Sequence, residues 1–341
     1  MTGAKHDIEE RYEVSFHVPT QIPKLLNCAV IQIITRMILL GVLLSAGLTS
    51  CGKPPSNDLV VINPDTNRSI AYKVWLPEAE APAPLVLISH GTSGQYDNHL
   101  WLAEALVANG YAVAGLNHPH DTTMDRSDAG LIRVWDRPAD ISFLISTLLN
   151  DPRWNKSIDA SRIAAAGFSS GGQTVIALAG GIYNPELMGA YCTSDHKGPE
   201  CDMAEIVDID FSDAGNNYKD ERIKAVFAMA PALGPGMTAE GLSQIDIPAA
   251  IIAAKDDDLI TPAYHAEHYA RHIPDSQLTL IPKGGHFVFV TTCTFIPKVV
   301  DFFITEIDMC GRNIELDRAT VHADVANMAI EFFDQKLAEA R

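Results

Sequence analysis

From about residue 58 onward, short apolar runs alternate with longer stretches of mixed polarity. Leu85 to Ser89, Tyr111 to Leu116, Arg162 to Ala166, Ala225 to Ala230, Ala249 to Ala254 and Gln277 to Ile281 are largely apolar runs of strand length. They lack the in-and-out alternation of a half-exposed strand, and so predict parallel strands covered on both faces. Between them, about Asn98 to Ala108, Arg137 to Leu149 and Ala263 to His272 read as helices, the first closed by Asn109-Gly110. Asp58 to Pro64 and Arg68 to Pro77 read as an antiparallel pair turning through Asn63 to Asn67. Helices near Pro297 to Ile307 and Arg318 to Leu337 close the chain. Strands and helices in this alternation predict an α/β protein with a mostly parallel, doubly wound sheet and helices on both faces.

Two places break the pattern. The stretch Tyr183 to Arg222 is polar, holds Cys192, Cys201 and the sequence DAGNN at 213–217, and reads as an insertion covering the carboxyl edge of the sheet. Immediately before it, Gly167-Phe168-Ser169-Ser170-Gly171-Gly172 stands between the strand ending at Ala166 and an apolar helix over Gln173 to Gly180. A strand that reverses into a helix within about one residue strains the residue at the turn and crowds the positions two away on either side. Glycines at 167 and 171 relieve the crowding. The hydroxyl of Ser169 would then stand above the sheet, with the free N–H groups of the new helix aimed at the same point. A Gly-rich turn in some other α/β protein could carry the same five letters, so neighbouring chemistry must decide.

A serine hydroxyl is a poor nucleophile until a base takes its proton, and the base needs an acid to hold its tautomer. Chains built on such an elbow carry nucleophile, acid and base in that order. After the strand Ala249 to Ala254 comes Lys255-Asp256-Asp257-Asp258-Leu259-Ile260-Thr261-Pro262, and after the last strand comes Pro282-Lys283-Gly284-Gly285-His286-Phe287. The order holds, with His286 as the base and one of three consecutive aspartates as the acid. His118-Pro119-His120-Asp121 could suggest a metal site, but Pro119 stiffens the chain between the two histidines and no further ligand cluster accompanies them. We therefore expect neither a metal nor a cofactor.

SHGTSG at 89–94, LAEALVANGYAV at 102–113, GFSSGGQT at 167–174 and KGGHFVF at 283–289 together resemble the serine α/β-hydrolases of the dienelactone hydrolase-like group. That group is related to platelet-activating factor acetylhydrolases and to bacterial polyester-degrading cutinases. The resemblance runs from about Leu59 to the C-terminus. It implies an α/β-hydrolase fold and cofactor-free hydrolysis of carboxylic esters through an acyl-enzyme, with a small-molecule ester as substrate. It also implies that the acid stands four residues before a helix-starting proline, which selects Asp258 through Pro262, with Asp257 the runner-up and Asp256 third. The oxyanion donors it implies are the N–H groups of Thr92 and Ser170, leaving His90 a structural role. Dienelactone hydrolases proper carry Cys where this chain has Ser169, and polyester hydrolases an aromatic residue where it has Thr92. The rivals are an acyltransferase or peptidase on the same fold and a non-catalytic surface binding module.

Of the 341 residues, 47% are hydrophobic and 20% charged, enough for one sizeable core. Residues 1–50 carry four basic and four acidic groups, so the net charge of −18 belongs to the remainder. That excess argues against nucleic acid and anionic lipid head groups as partners. After Arg36, Met37 to Leu48 is an apolar run of about a dozen residues, short for a membrane span, and it ends in Leu48-Thr49-Ser50-Cys51. This resembles a bacterial lipoprotein signal over residues 1–50, cleaved before a lipidated Cys51. Residues 51–57 would be a flexible tether, residues 58–341 the hydrolase domain with its insertion at about 183–222, and the location the periplasmic side of the outer membrane or the cell surface. An uncleaved anchor from about Leu25 to Leu48 is the alternative, interrupted by Gln32 and Arg36. Export would remove Cys28 with the signal and expose Cys192, Cys201, Cys293 and Cys310 to an oxidising compartment. We expect two disulfides between sequence neighbours, out of three possible connectivities.

Overall fold

The computed structural model describes residues 59–79, 81–202, 208–292 and 317–339, all within the compact unit Asn57–Arg341. The signal and tether read over residues 1–57, Cys28, Cys51, the helix read over 297–307, Cys293 and Cys310 lie outside the described residues.

The strands are β1 (Leu59–Ile62), β2 (Ser69–Trp75), β3 (Ala83–Ser89), β4 (Ala112–Asn117), β5 (Ile158–Phe168), β6 (Ile223–Met229), β7 (Ala249–Ala254) and β8 (Ser276–Ile281). They form one eight-stranded sheet in the order β1-β2-β4-β3-β5-β6-β7-β8, antiparallel where β2 meets β1 and β4 and parallel elsewhere. The helices are α1 (Leu100–Ala108), α2 (Asp128–Ile132), α3 (Asp136–Asn150), α4 (Ser170–Leu178), α5 (Pro185–Cys192), α6 (Ala239–Ser243), α7 (Ala266–His272) and α8 (Arg318–Glu339). The short helices α2 and α6 have no counterpart in the apolar pattern; each is too short to show a period and is started by a capping hydroxyl, Ser127 or Thr238.

The strand period divides the core in two. Leu85 and Leu87 of β3 face the layer containing Ile141 and Leu144 of α3, Val175 of α4 and Tyr269 of α7. Val86 and Ile88 face the opposite layer, with Leu102 and Leu106 of α1 and Phe332 and Phe333 of α8. Along α8, Val321, Val325, Ala329 and Phe333 recur every fourth residue and form its buried stripe. In β5, Ala164, Ala165 and Ala166 are fully buried; the small side chain of Ala165 lies in the layer of α4 and lets that helix lie close against the sheet, while Ala164 and Ala166 lie in the layer of α1 and α8. Four of the parallel strands, β3, β5, β7 and β8, deliver their following loops to one edge, the carboxyl edge, where open parallel sheets place their sites.

Candidate active site

Ser169 sits between β5 and α4 with φ 56° and ψ −121°, a backbone conformation that side chains rarely adopt. A Cβ on Gly167 would lie 2.1 Å from the Gly171 carbonyl oxygen, and one on Gly171 2.1 Å from that of Ser89. The first glycine therefore admits the new helix and the second lets that helix touch the end of β3. The bend is held by hydrogen bonds from the Ser169 N–H to the Met229 carbonyl, 2.9 Å, and from the Ala232 N–H to the Ser169 carbonyl, 3.0 Å.

His286 opens a short helical turn after β8, preceded by Gly284 at φ 106°, a value that favours glycine. Its Nε2 lies 3.0 Å from the Ser169 hydroxyl and its Nδ1 2.8 Å from Oδ2 of Asp257. Asp257 is the carboxylate behind the imidazole, and Asp258, which the resemblance selected, is exposed to solvent. The cause is a turn closed by the Asp257 N–H on the Ala254 carbonyl, 3.2 Å, which brings the chain back under the histidine loop one residue earlier. The other Asp257 oxygen accepts the N–H groups of Leu259, 3.2 Å, and Ile260, 2.7 Å. A carboxylate only accepts, so His286 carries its proton on Nδ1 and presents a lone pair on Nε2 to the serine. Ser169, Asp257 and His286 are 7%, 2% and 4% exposed.

Thr92 and Ser170 flank the serine, their hydroxyls 2.5 Å apart. Ser170 is the first residue of α4, where an N–H has no intrahelical acceptor, and the Thr92 N–H finds none among the described residues. Both line, with Ser169, a cavity of about 320 Å³, within the usual range for small-molecule sites. Its walls are mostly apolar: Leu131, Ile132 and Val134 from one side, Leu233 and Ile260 from another, and Tyr183, Met188 and Phe211 from the insertion. Cys192 and Cys201, joined by a disulfide, also border it, a pairing of sequence neighbours.

Comparison with protein-family models found no match, and no curated protein is significantly similar. Among solved structures, the chain is similar to a ferulic acid esterase from Streptomyces cinnamoneus, with 21% identity, TM-score 0.57 and coverage of 83% of this chain and 89% of that one. It is similar to a sugar hydrolase from Lactococcus lactis, with 14% identity, TM-score 0.52 and coverage of 84% and 100%. A dienelactone hydrolase from Anabaena variabilis ATCC 29413 follows at 15% identity, TM-score 0.50 and coverage of 82% and 97%. The chain has the α/β-hydrolase fold.

Within this α/β-hydrolase fold a second Ser, His, Asp series exists. Ser89 Oγ lies 2.9 Å from His118 Nε2, and His118 Nδ1 lies 3.0 Å from Asp140, which also receives Arg68. All three of its members are at most 1% exposed, and none lines the cavity, so it serves as an internal strut. His90 belongs to the same strut: its Nδ1–H reaches the Gly91 carbonyl, 2.7 Å, and its Nε2 accepts the His118 N–H, 3.1 Å. His118 and His120 diverge, the first buried and the second exposed beside Asp125 at 3.3 Å. Sequence reading missed the strut because its members are spread over four elements and resemble ordinary loop and helix polar residues.

Burial pushes the imidazoles of His90 and His118 well below the ordinary value of 6.5, helped by the nearby Arg137 cation. Burial lowers His99 to about 3 and His322 to about 4. The unfolded chain therefore binds more protons than the fold below pH 6.5, so stability is full above that value and lost as pH falls. Asp121 and Asp140, raised by burial, oppose this only in the acid part of the window. The urea midpoint should be clearly lower at pH 5.5 than at pH 7.5; equal midpoints would show that these imidazoles are not held neutral.

Proposed function

We propose that the protein is a serine esterase that cleaves carboxylic esters with an apolar group through an acyl-enzyme. The observation that carries the reading is the unbroken hydrogen-bond series from Asp257 through His286 to Ser169, opening into an apolar cavity beside two N–H groups that find no acceptor among the described residues. His286 Nε2 takes the Ser169 proton as Oγ attacks the ester carbonyl carbon. The Thr92 and Ser170 N–H groups hold the oxygen that becomes negative, and Asp257 steadies the imidazolium. His286 then gives the proton to the departing alcohol. Water, deprotonated by His286, attacks the acyl carbon and releases the acid, and the proton returns to Ser169. The structural neighbours, an esterase and two hydrolases, support the same class. Export and lipid attachment at Cys51 are part of this proposal, supported by the lipobox-like sequence and by a disulfide of the kind oxidising compartments sustain.

A fluorophosphonate probe tests the reading without knowledge of the substrate. The folded protein should label with one equivalent at Ser169, and matched nitrophenyl ester, thioester and anilide substrates should be cleaved in that order of preference. A folded protein that takes up no probe would instead support a binding module.

A further inference from the structure

Beneath the serine lies a buried cation that touches no part of the cavity. Arg137, the second residue of α3, is 1% exposed. Its guanidinium donates through Nη1 to the Asp121 carboxylate, through Nη2 to the His90 carbonyl and, at 3.3 Å, to the Ser89 hydroxyl, and through Nε to the Thr174 hydroxyl at 3.0 Å. Two of these partners lead to the loop that carries Thr92. His90 is two residues before it, and Asp121 accepts the N–H of Ser93, the residue after it, at 2.7 Å. Thr174 leads to the other wall: its hydroxyl donates to the Ser170 carbonyl at 2.7 Å. One rigid, planar fork thus spans both backbone segments, those of Thr92 and Ser170, that line the cavity beside Ser169. The fit is close, since a Cβ on Gly91 would lie 2.9 Å from the Phe168 ring and 3.2 Å from the Ser169 Cβ.

A buried ion pair seldom stabilises a fold better than an apolar side chain of the same volume. What an apolar residue could not do here is fix the separation of two loops by direction as well as distance. We propose that Arg137 is a positioning residue that sets the spacing of the Thr92 and Ser170 N–H groups, and so controls transition-state stabilisation without contacting substrate. The inference rests on the esterase reading.

The test compares Arg137→Lys, Arg137→Met and Thr174→Val, with activity expressed per Ser169 titratable by fluorophosphonate. Loss of one oxyanion donor lowers turnover by about a hundred to a thousand times. Arg137→Met should approach that loss, Arg137→Lys should recover part of it, and Thr174→Val, which removes the acceptor of Arg137 Nε and with it the link to Ser170 but keeps the bonds to Asp121 and His90, should lose about tenfold; KM should stay within about twofold in all three. Affinity for a trifluoromethyl ketone, which mimics the tetrahedral species, should fall in step with kcat, while affinity for an uncleavable ether analogue should not. If the arginine variants fail to fold, Thr174→Val decides. A folded Thr174→Val variant with wild-type kcat and ketone affinity overturns the inference and leaves the esterase reading intact. A wild-type protein that neither labels nor cleaves esters overturns both.

Discussion

Replacing Ser169 by alanine is expected to lower kcat for a short-chain nitrophenyl ester by about a millionfold, to the level left by binding and oxyanion contacts. The size of the effect follows from how the parts depend on one another. In the proposed mechanism His286 Nε2, 3.0 Å from the hydroxyl, deprotonates only Ser169 in the first step, and Asp257 acts through His286. Removing the oxygen disables all three at once. The alanine variant keeps the backbone bonds from Ser169 to Met229 and Ala232, so its thermal midpoint should stay close to wild type. Activity within tenfold of wild type, per folded protein, would remove Ser169 from the chemistry.

Asp257→Asn should lower kcat by about ten thousandfold, while Asp258→Asn should change it by less than about twofold. The two neighbours differ because one carboxylate oxygen of Asp257 is committed to the N–H groups of Leu259 and Ile260. An asparagine there must keep its carbonyl oxygen toward those donors, which turns its NH₂ toward His286 Nδ1. That nitrogen can then only accept, so the ring proton moves to Nε2 and the lone pair facing Ser169 is lost. Asp258 is exposed and takes no part in the series. Steady-state kinetics on the two variants give the answer, and a reversed order would return the acid to position 258.

Those aspartates also show how far reading the chain goes. Ser169 and His286 were legible because their surroundings leave little freedom: glycines at 167 and 171 for a strand-to-helix bend that permits nothing larger, and Gly284-Gly285 ahead of a histidine directly after a strand. The choice among Asp256, Asp257 and Asp258 depended on how the turn after β7 packs: the Asp257 N–H closes on Ala254, and the Asp257 side chain meets His286, Leu259 and Ile260. Arg137 read as the polar start of a helix. It becomes the buried centre of a network because the segment around Asp121 folds back over α3 and brings a carboxylate to it from 16 positions away.

The order of strands and helices, the elbow at Ser169 and the two-sided burial of the sheet were set by local rules, since apolar run length, glycine placement and helix capping act over a few neighbouring residues. Tertiary packing alone decided which aspartate meets the imidazole, which of two Ser, His, Asp series opens to a cavity, and how one guanidinium joins two loops. Each of those depends on the meeting of segments remote in the chain, and a buried charge or hydroxyl takes its role from the partners that surround it.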